Sequence, residues 1–149
     1  MKKNNKKGFT LVELVIVVAV MAVLVAVAIP TVGSITGTAR TSVNQTNAKT
    51  IESMLKLAEA EGSKTTTGAT PATIAKVIVD AKLGIEEGTF KYDTSTGKVT
   101  YETATFDASG TVYKIEFTKA AAATAKSTVT VSKGTGEGNT ATLNLDGTT

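Results

Sequence analysis

Residues Phe9 to Ile29 read FTLVELVIVVAVMAVLVAVAI, a run in which Glu13 is the one ionisable residue. As a helix rising about 1.5 Å per residue it covers roughly 31 Å, the thickness of a bilayer's hydrocarbon core. The sequence therefore predicts a membrane-spanning helix over residues 9–30. Lys2, Lys3, Lys6 and Lys7 precede it, and such a cluster holds the N-terminus on the cytoplasmic side, with the rest of the chain outside. An ordinary secretory signal cut after Ala26-Val27-Ala28 is the competing reading. The run is longer than the usual apolar region of about 7–15 residues. Glu13 also costs on the order of 2.5–3.5 kcal/mol at the centre of a membrane helix, which a disposable signal has no reason to accept.

Composition narrows the chemistry. The chain has 149 residues, 16 Lys+Arg against 13 Asp+Glu, and no His, Cys or Trp. That removes thiol nucleophiles, disulfides, iron–sulfur and His/Cys zinc sites, and the Ser–His–Asp triad. No catalytic residue, cofactor or metal site is expected, and an enzyme is a poor reading. The formal charge of +3 comes from the first seven residues, since beyond Gly8 the balance turns slightly acidic. Aromatics are only 5% of the chain, and no basic face with stacking rings is evident, so no nucleic-acid binding is predicted.

Lys7-Gly8-Phe9-Thr10-Leu11-Val12-Glu13-Leu14 resembles the prepilin signature of type IV pilins and pseudopilins. That signature is a short basic leader ending in Gly, then Phe, then Glu at the fifth mature position, an apolar helix and a late proline, here Pro30. The resemblance implies cleavage between Gly8 and Phe9 by a prepilin peptidase, which also N-methylates Phe9. It implies that Glu13 pairs with the Phe9 amine of a neighbouring subunit and sets its register. A carboxylate and an ammonium, each costly alone among apolar helices, become tolerable together. The competing reading has Glu13 snorkelling to the membrane interface.

Pro30 removes a backbone donor and clashes with the preceding turn, and Gly33 and Gly37 weaken helicity further, so a helix break or soft segment is expected there. Gly33 to Gly37 also fits the small-residue contact G-x-x-x-G, weakly, because it lies past the apolar run. Residues 31–61 keep helical spacing as an amphipathic continuation, with Ala39, Val43, Ile51, Met54, Leu55 and Ala58 as its apolar stripe. Glu52 and Lys56 form an i,i+4 pair, and Gly62 is the stop.

Residues 62–149 read as a globular head. Thr70 caps a short helix over 71–83 with Pro71 at its first position. The period then changes to two, predicting antiparallel strands near 89–93, 98–103 and 112–118 as a meander, and near 128–132 and 141–145 as a hairpin. Turns are expected at Asp93–Gly97, Asp107–Gly110 and Lys133–Thr140, and Ala120–Ala125 is a helical turn or a loop. The expected class is α+β, a long N-terminal helix on a small antiparallel sheet, which is also what the resemblance implies. Chemical sites are thin. Gly134 to Gly138 reads as a flexible turn, and Glu137, Asn139 and Asp146 as a solvated turn rather than a calcium site. Glu86-Glu87 reads as a solvated pair, and Asn44-Gln45-Thr46 as a chance glycosylation pattern inside a helix.

The reading is a prepilin, a structural subunit of a surface filament serving adhesion, motility or surface contact. Before assembly it is a single-pass membrane protein in contact with lipid; afterwards it is extracellular. The partners this implies are other pilin subunits in a homopolymer, a prepilin peptidase/methyltransferase, an assembly ATPase and an inner-membrane platform protein. The chain has no nucleotide-binding P-loop of its own. Two alternatives stand beside it: a pseudopilin of a type II secretion or competence DNA-uptake machine, and a secreted or membrane-tethered β-rich protein with an ordinary signal sequence.

Overall fold

A computed structural model describes residues 9–102, 111–134 and 139–148, with the side chains of 28–34 excepted. Its elements are α1 (Leu11–Ala60), α2 (Pro71–Asp80), β1 (Gly88–Asp93), β2 (Lys98–Tyr101), β3 (Val112–Thr118), β4 (Thr128–Ser132) and β5 (Thr140–Asn144). Residues 1–40 and 41–149 form separate compact units. The architecture is α+β, an N-terminal helix followed by a five-stranded antiparallel sheet.

The backbone of α1 is continuous through Pro30, Gly33 and Gly37, the segment expected to break or to soften. A proline forfeits one donor and crowds one turn, and glycine lowers helix propensity without forbidding the helix. Intact turns on either side carry the ladder across. At its other end α1 stops as expected. Gly62 takes φ 97°, the Gly62 N–H donates to Glu59 C=O at 3.1 Å and the Ser63 N–H donates to Ala58 C=O at 2.8 Å. That pair of bonds is the Schellman closure of a helix C-terminus.

In the second unit, Ala48, Ile51 and Leu55 of α1 join one core with Ile74 and Ile78 of α2 and with Phe90, Tyr92, Tyr113, Ile115, Val129 and Val131 of the sheet. Val43 is not among them and is 58% exposed. At 3.6 residues per turn it lies roughly 80° around the helix from Ile51 and about 120° from Leu55, off the buried face. Ala39 is likewise exposed.

The strand order is β2-β1-β3-β4-β5, so the first three strands are not the meander the sequence suggested. β1 lies between β2 and β3, with Phe90 opposite Tyr101 on one side and Ile115 on the other. Phe90 and Tyr92 are almost wholly buried, and the inner position gives these two large side chains cross-strand partners on both flanks. The Asp93–Gly97 turn closes as expected, with Gly97 at φ 65° and its N–H donating to Asp93 C=O at 2.8 Å. The expected Asp107–Gly110 turn lies outside the described residues, as do residue 103 and the middle of the Lys133–Thr140 turn.

Boundaries shift where backbone geometry intervenes. α2 begins as expected, the Thr73 N–H donating to the Thr70 hydroxyl at 3.2 Å, but it ends at Asp80 rather than 83. Lys82 at φ 47° and Gly84 at φ 68° leave helical space there. β2 stops at Tyr101, β1 begins one residue earlier than expected and β5 spans Thr140–Asn144. Ala120–Ala125 is a loop containing one turn, Ala125 N–H to Ala122 C=O at 3.0 Å.

The loop after α1 is fastened by Glu59. Its carboxylate accepts the Thr65 and Thr66 N–H groups at 2.6 and 2.8 Å and both hydroxyls at 2.7 Å. The Thr66 and Thr65 hydroxyls, then their N–H groups, pull the Glu59 pKa down to about 2. The Tyr92 hydroxyl donates to Thr65 C=O at 2.9 Å, and the Tyr113 hydroxyl donates to Ala69 C=O at 2.7 Å. Helix, loop and sheet are thus tied through buried or half-buried polar groups.

Candidate functional site

The chemistry-bearing residues of the N-terminal unit are Phe9, Thr10 and Glu13, and a local sequence rule explains their arrangement. Thr10-Leu11-Val12-Glu13 is a T-x-x-E capping box. The Thr10 carbonyl accepts the first helical bond, from Leu14 N–H at 3.3 Å. The Thr10 N–H and hydroxyl both donate to Glu13 Oε2, at 2.9 and 2.7 Å, and the Glu13 N–H donates back to the Thr10 hydroxyl at 3.3 Å. Glu13 also stands in the first turn of α1, where the helix dipole favours negative charge. The sequence reading singled out Glu13 and passed over Thr10, although the four-residue signature was present to be read.

The large side chains of α1 are exposed from Leu11, 77% accessible, as far as Val27, and Phe9 just before the helix is 79% accessible. So continuous a run of exposed Val, Leu, Ile and Met marks a surface built for another apolar phase or for other helices. Among the described residues no helix is long and apolar enough to cross a membrane. The described side chains of the run end at Val27, short of the Ile29 limit on which the expected 9–30 span depends. Lys2, Lys3, Lys6, Lys7 and Gly8 lie outside the described residues.

Elsewhere the candidates resolve into structural roles. Glu86 is ion-paired with Lys119, which raises the lysine's pKa. Asp146 accepts the Thr148 N–H at 3.0 Å and hydroxyl at 2.7 Å and pairs with Lys126 at 2.9 Å. The two Thr148 bonds, then the lysine, lower its pKa to about 2. Asn44 to Thr46 lies within α1. Glu137 is outside the described residues, and among those described no three acidic side chains converge as a metal would require. A hollow of about 470 Å³ has Ile78, Leu83, Phe117 and Leu145 in its wall together with the polar side chains of Lys82, Glu86, Ser127 and Asp146.

Residues 3–29, the segment that carries the capping box and the exposed apolar run, match the prokaryotic N-terminal methylation motif. The chain is 37% identical over 60 residues to the "Prepilin peptidase-dependent protein A" of Clostridium perfringens (strain 13 / Type A), an alignment covering 40% of this chain and 43% of that protein. The match thus spans less than half the length of that relative. No solved structure matches the chain. The motif and the relative together support a type IV pilin-like or pseudopilin protein.

Proposed function

We propose that this chain is a prepilin whose mature form is a structural subunit of a type IV pilus. The observation that carries the reading is the coincidence, within residues 3–29, of the methylation motif, the Thr10–Glu13 box and an apolar helix face left exposed. In this account residues 9–30 hold the precursor in the membrane with the lysine leader inside. A prepilin peptidase cuts between Gly8 and Phe9, and the new Phe9 amine is methylated. An assembly ATPase and a membrane platform protein, acting from outside this chain, drive the subunit into the filament.

Glu13 then has two tasks. Its Oε2 is taken by the two Thr10 donors, and the proposal assigns Oε1 to the Phe9 ammonium of a neighbouring subunit. Subunits out of axial register leave both charges unpaired in an apolar bundle, which is strongly unfavourable. Pairing therefore selects register as well as supplying attraction. The surface filament so formed would serve adhesion, motility or surface contact.

The test is the mass of the N-terminal peptide of the protein recovered from its native cell. A terminus at Phe9 bearing one added methyl supports prepilin processing, whereas a terminus at Ile29 would overturn it in favour of an ordinary secreted protein. Electron microscopy of the same cells separates pilus from pseudopilus. Long surface filaments that react with antibody to the head and vanish in a Glu13→Ala strain support the pilus. Their absence alongside a methylated Phe9 favours the pseudopilin of a secretion or DNA-uptake machine.

A further inference from the structure

The two edges of the sheet are treated differently. In β1–β2, the Glu102 N–H donates to Thr89 C=O at 3.0 Å, which fixes the alternation of the ladder. Val99 and Tyr101 therefore turn their backbone groups away from β1. That outer edge is engaged by α1, because the Val99 N–H donates to Glu52 Oε2 at 3.1 Å. Among the described residues the β5 edge has no such cover. The Leu145 N–H donates to Ser127 C=O at 2.9 Å and the Lys133 N–H donates to Asn139 C=O at 2.7 Å. With the register Val131↔Ala141 and Val129↔Leu143, residues 141 and 143 bond inward to β4. The N–H and C=O groups of Thr140 and Thr142 point outward. The strand Thr-Ala-Thr-Leu-Asn carries no charge, proline or bulge of the kind that usually blunts an edge.

We propose that the β5 edge is a self-pairing surface, joining the heads of two copies of this chain as antiparallel β5 strands about a two-fold axis at Ala141. The register follows from which groups are already used. Asn144 C=O is taken by the Gly147 N–H at 3.1 Å, so the open stretch is Thr140 to Thr142. An antiparallel strand centred on Ala141 places Thr140 opposite the partner's Thr142 and Thr142 opposite the partner's Thr140. Each pair exchanges both backbone bonds, and the small Ala141 lets the strands approach at the closely spaced position on the axis.

The surroundings are self-complementary as well. A hollow of about 310 Å³ between α2 and β5 is lined by Ala72, Val79, Ala141 and Leu143, with Lys76 and Asp80 also in its wall. These last two form an exposed i,i+4 pair at 3.1 Å. A two-fold axis beside α2 sets the second copy's helix antiparallel to the first, which brings Lys76 toward the opposite copy's Asp80 and the reverse. Like charges are kept apart and the apolar hollows face one another. Extended segments of other proteins satisfy the backbone edge but lack this charge symmetry. The contact is small, in the class of weak interfaces.

The absence of Cys makes the test clean. Ala141→Cys is introduced into the full-length chain, purified in detergent and exposed to a mild oxidant. Non-reducing electrophoresis should show a disulfide dimer forming about tenfold or more faster than for Thr96→Cys, because paired sites see millimolar effective concentrations. Adding Thr142→Pro, which deletes an outward N–H and, on the strand's face, the hydroxyl contact with Thr130 at 3.0 Å, should abolish the link with the far-ultraviolet spectrum unchanged. Light scattering of the Cys-free chain gives a second reading, a concentration-dependent dimer that Thr142→Pro converts to monomer. Equal rates for Ala141→Cys and Thr96→Cys, or a scattering mass unaffected by Thr142→Pro, would overturn the proposal. Both readouts use the unpolymerised chain, so they stand or fall separately from the pilus reading.

Discussion

Leu55 and Leu57 stand two residues apart on the same helix, yet Leu55 is 0% and Leu57 51% exposed. Truncating each to Ala therefore tests the placement of α1 on its sheet. Leu55 meets the core formed by Ile51, Ile74, Phe90 and Val129, and a wholly buried Leu→Ala change costs roughly 2.7–5 kcal/mol, transfer and cavity combined. The Thr65 hydroxyl proton is shared between Glu59 and the backbone carbonyl of Leu55, at 2.7 and 2.9 Å, a backbone contact that survives the change, so the loss is one of packing. For a unit the size of residues 41–149, about 3 kcal/mol corresponds to a fall of roughly 12 °C in midpoint temperature. Leu57→Ala should stay within about 0.5 kcal/mol of the parent. Tyrosine fluorescence is the right probe in the full-length protein. Tyr92 and Tyr113 are each 1% exposed and the chain has no Trp, whereas helical circular dichroism would be dominated by α1. Urea titration should give a shifted midpoint at constant slope for Leu55→Ala. Equal losses for the two variants, or a loss below about 1 kcal/mol at Leu55, would refute the assigned helix face.

Three further outcomes follow from particular contacts. Because hydrogen bonds lower the Glu59 pKa from 4.5 to about 2, its contribution is fully present above the unfolded value and disappears as pH falls through that window. A pH series of urea midpoints should show Glu59→Gln weaker than the parent at neutral pH and converging with it near pH 2. Tyr92→Phe leaves the Thr65 carbonyl without its 2.9 Å donor and should cost about 1–3 kcal/mol in the same titration. Gly88 has φ 140°, and an added Cβ would lie 3.0 and 3.1 Å from the ring carbons of the buried Phe90. Gly88→Ala should therefore destabilise by roughly 1–3 kcal/mol, whereas Gly37→Ala, with open space around the new methyl, should be neutral or slightly stabilising in helix content.

The legible parts of the fold were those set by local chemistry. Thr70-Pro71 announced the start of α2, Gly62 the end of α1, and the alternation around Tyr113-Ile115-Phe117 gave β3 to the residue. Strand order was not legible, because Phe90 and Tyr92 alternate identically whether β1 has one neighbour or two. Only the three-dimensional demand of burying both rings places β1 inside the sheet. Val43 misled for a related reason. Apolar residues at nearly helical spacing drift around the axis over several turns, and the face was decided by Ile51, Leu55 and Ala58 with Ala48. At the N-terminus Glu13 stands out as a charge in an apolar run, while Thr10 is legible only when read together with it as a T-x-x-E box, the pair whose hydroxyl and N–H converge on one carboxylate oxygen.

That convergence gives Glu13 two separable reasons to exist, and one substitution divides them. As the N3 residue of a capping box it needs only an acceptor, which Gln provides as well as Glu. As the partner of a neighbouring Phe9 ammonium it needs a negative charge, because a neutral amide leaves the ammonium uncompensated among apolar helices. Glu13→Gln should therefore preserve the start of α1 in the unassembled chain, seen as an unchanged helical spectrum in detergent, while filament yield falls toward that of Glu13→Ala. Thr10→Ala should do the reverse, fraying the first turn while leaving the charge in place. Filaments assembling normally from the Gln variant would reduce Glu13 to its local role at the helix start and remove the register mechanism, even if Phe9 were found methylated.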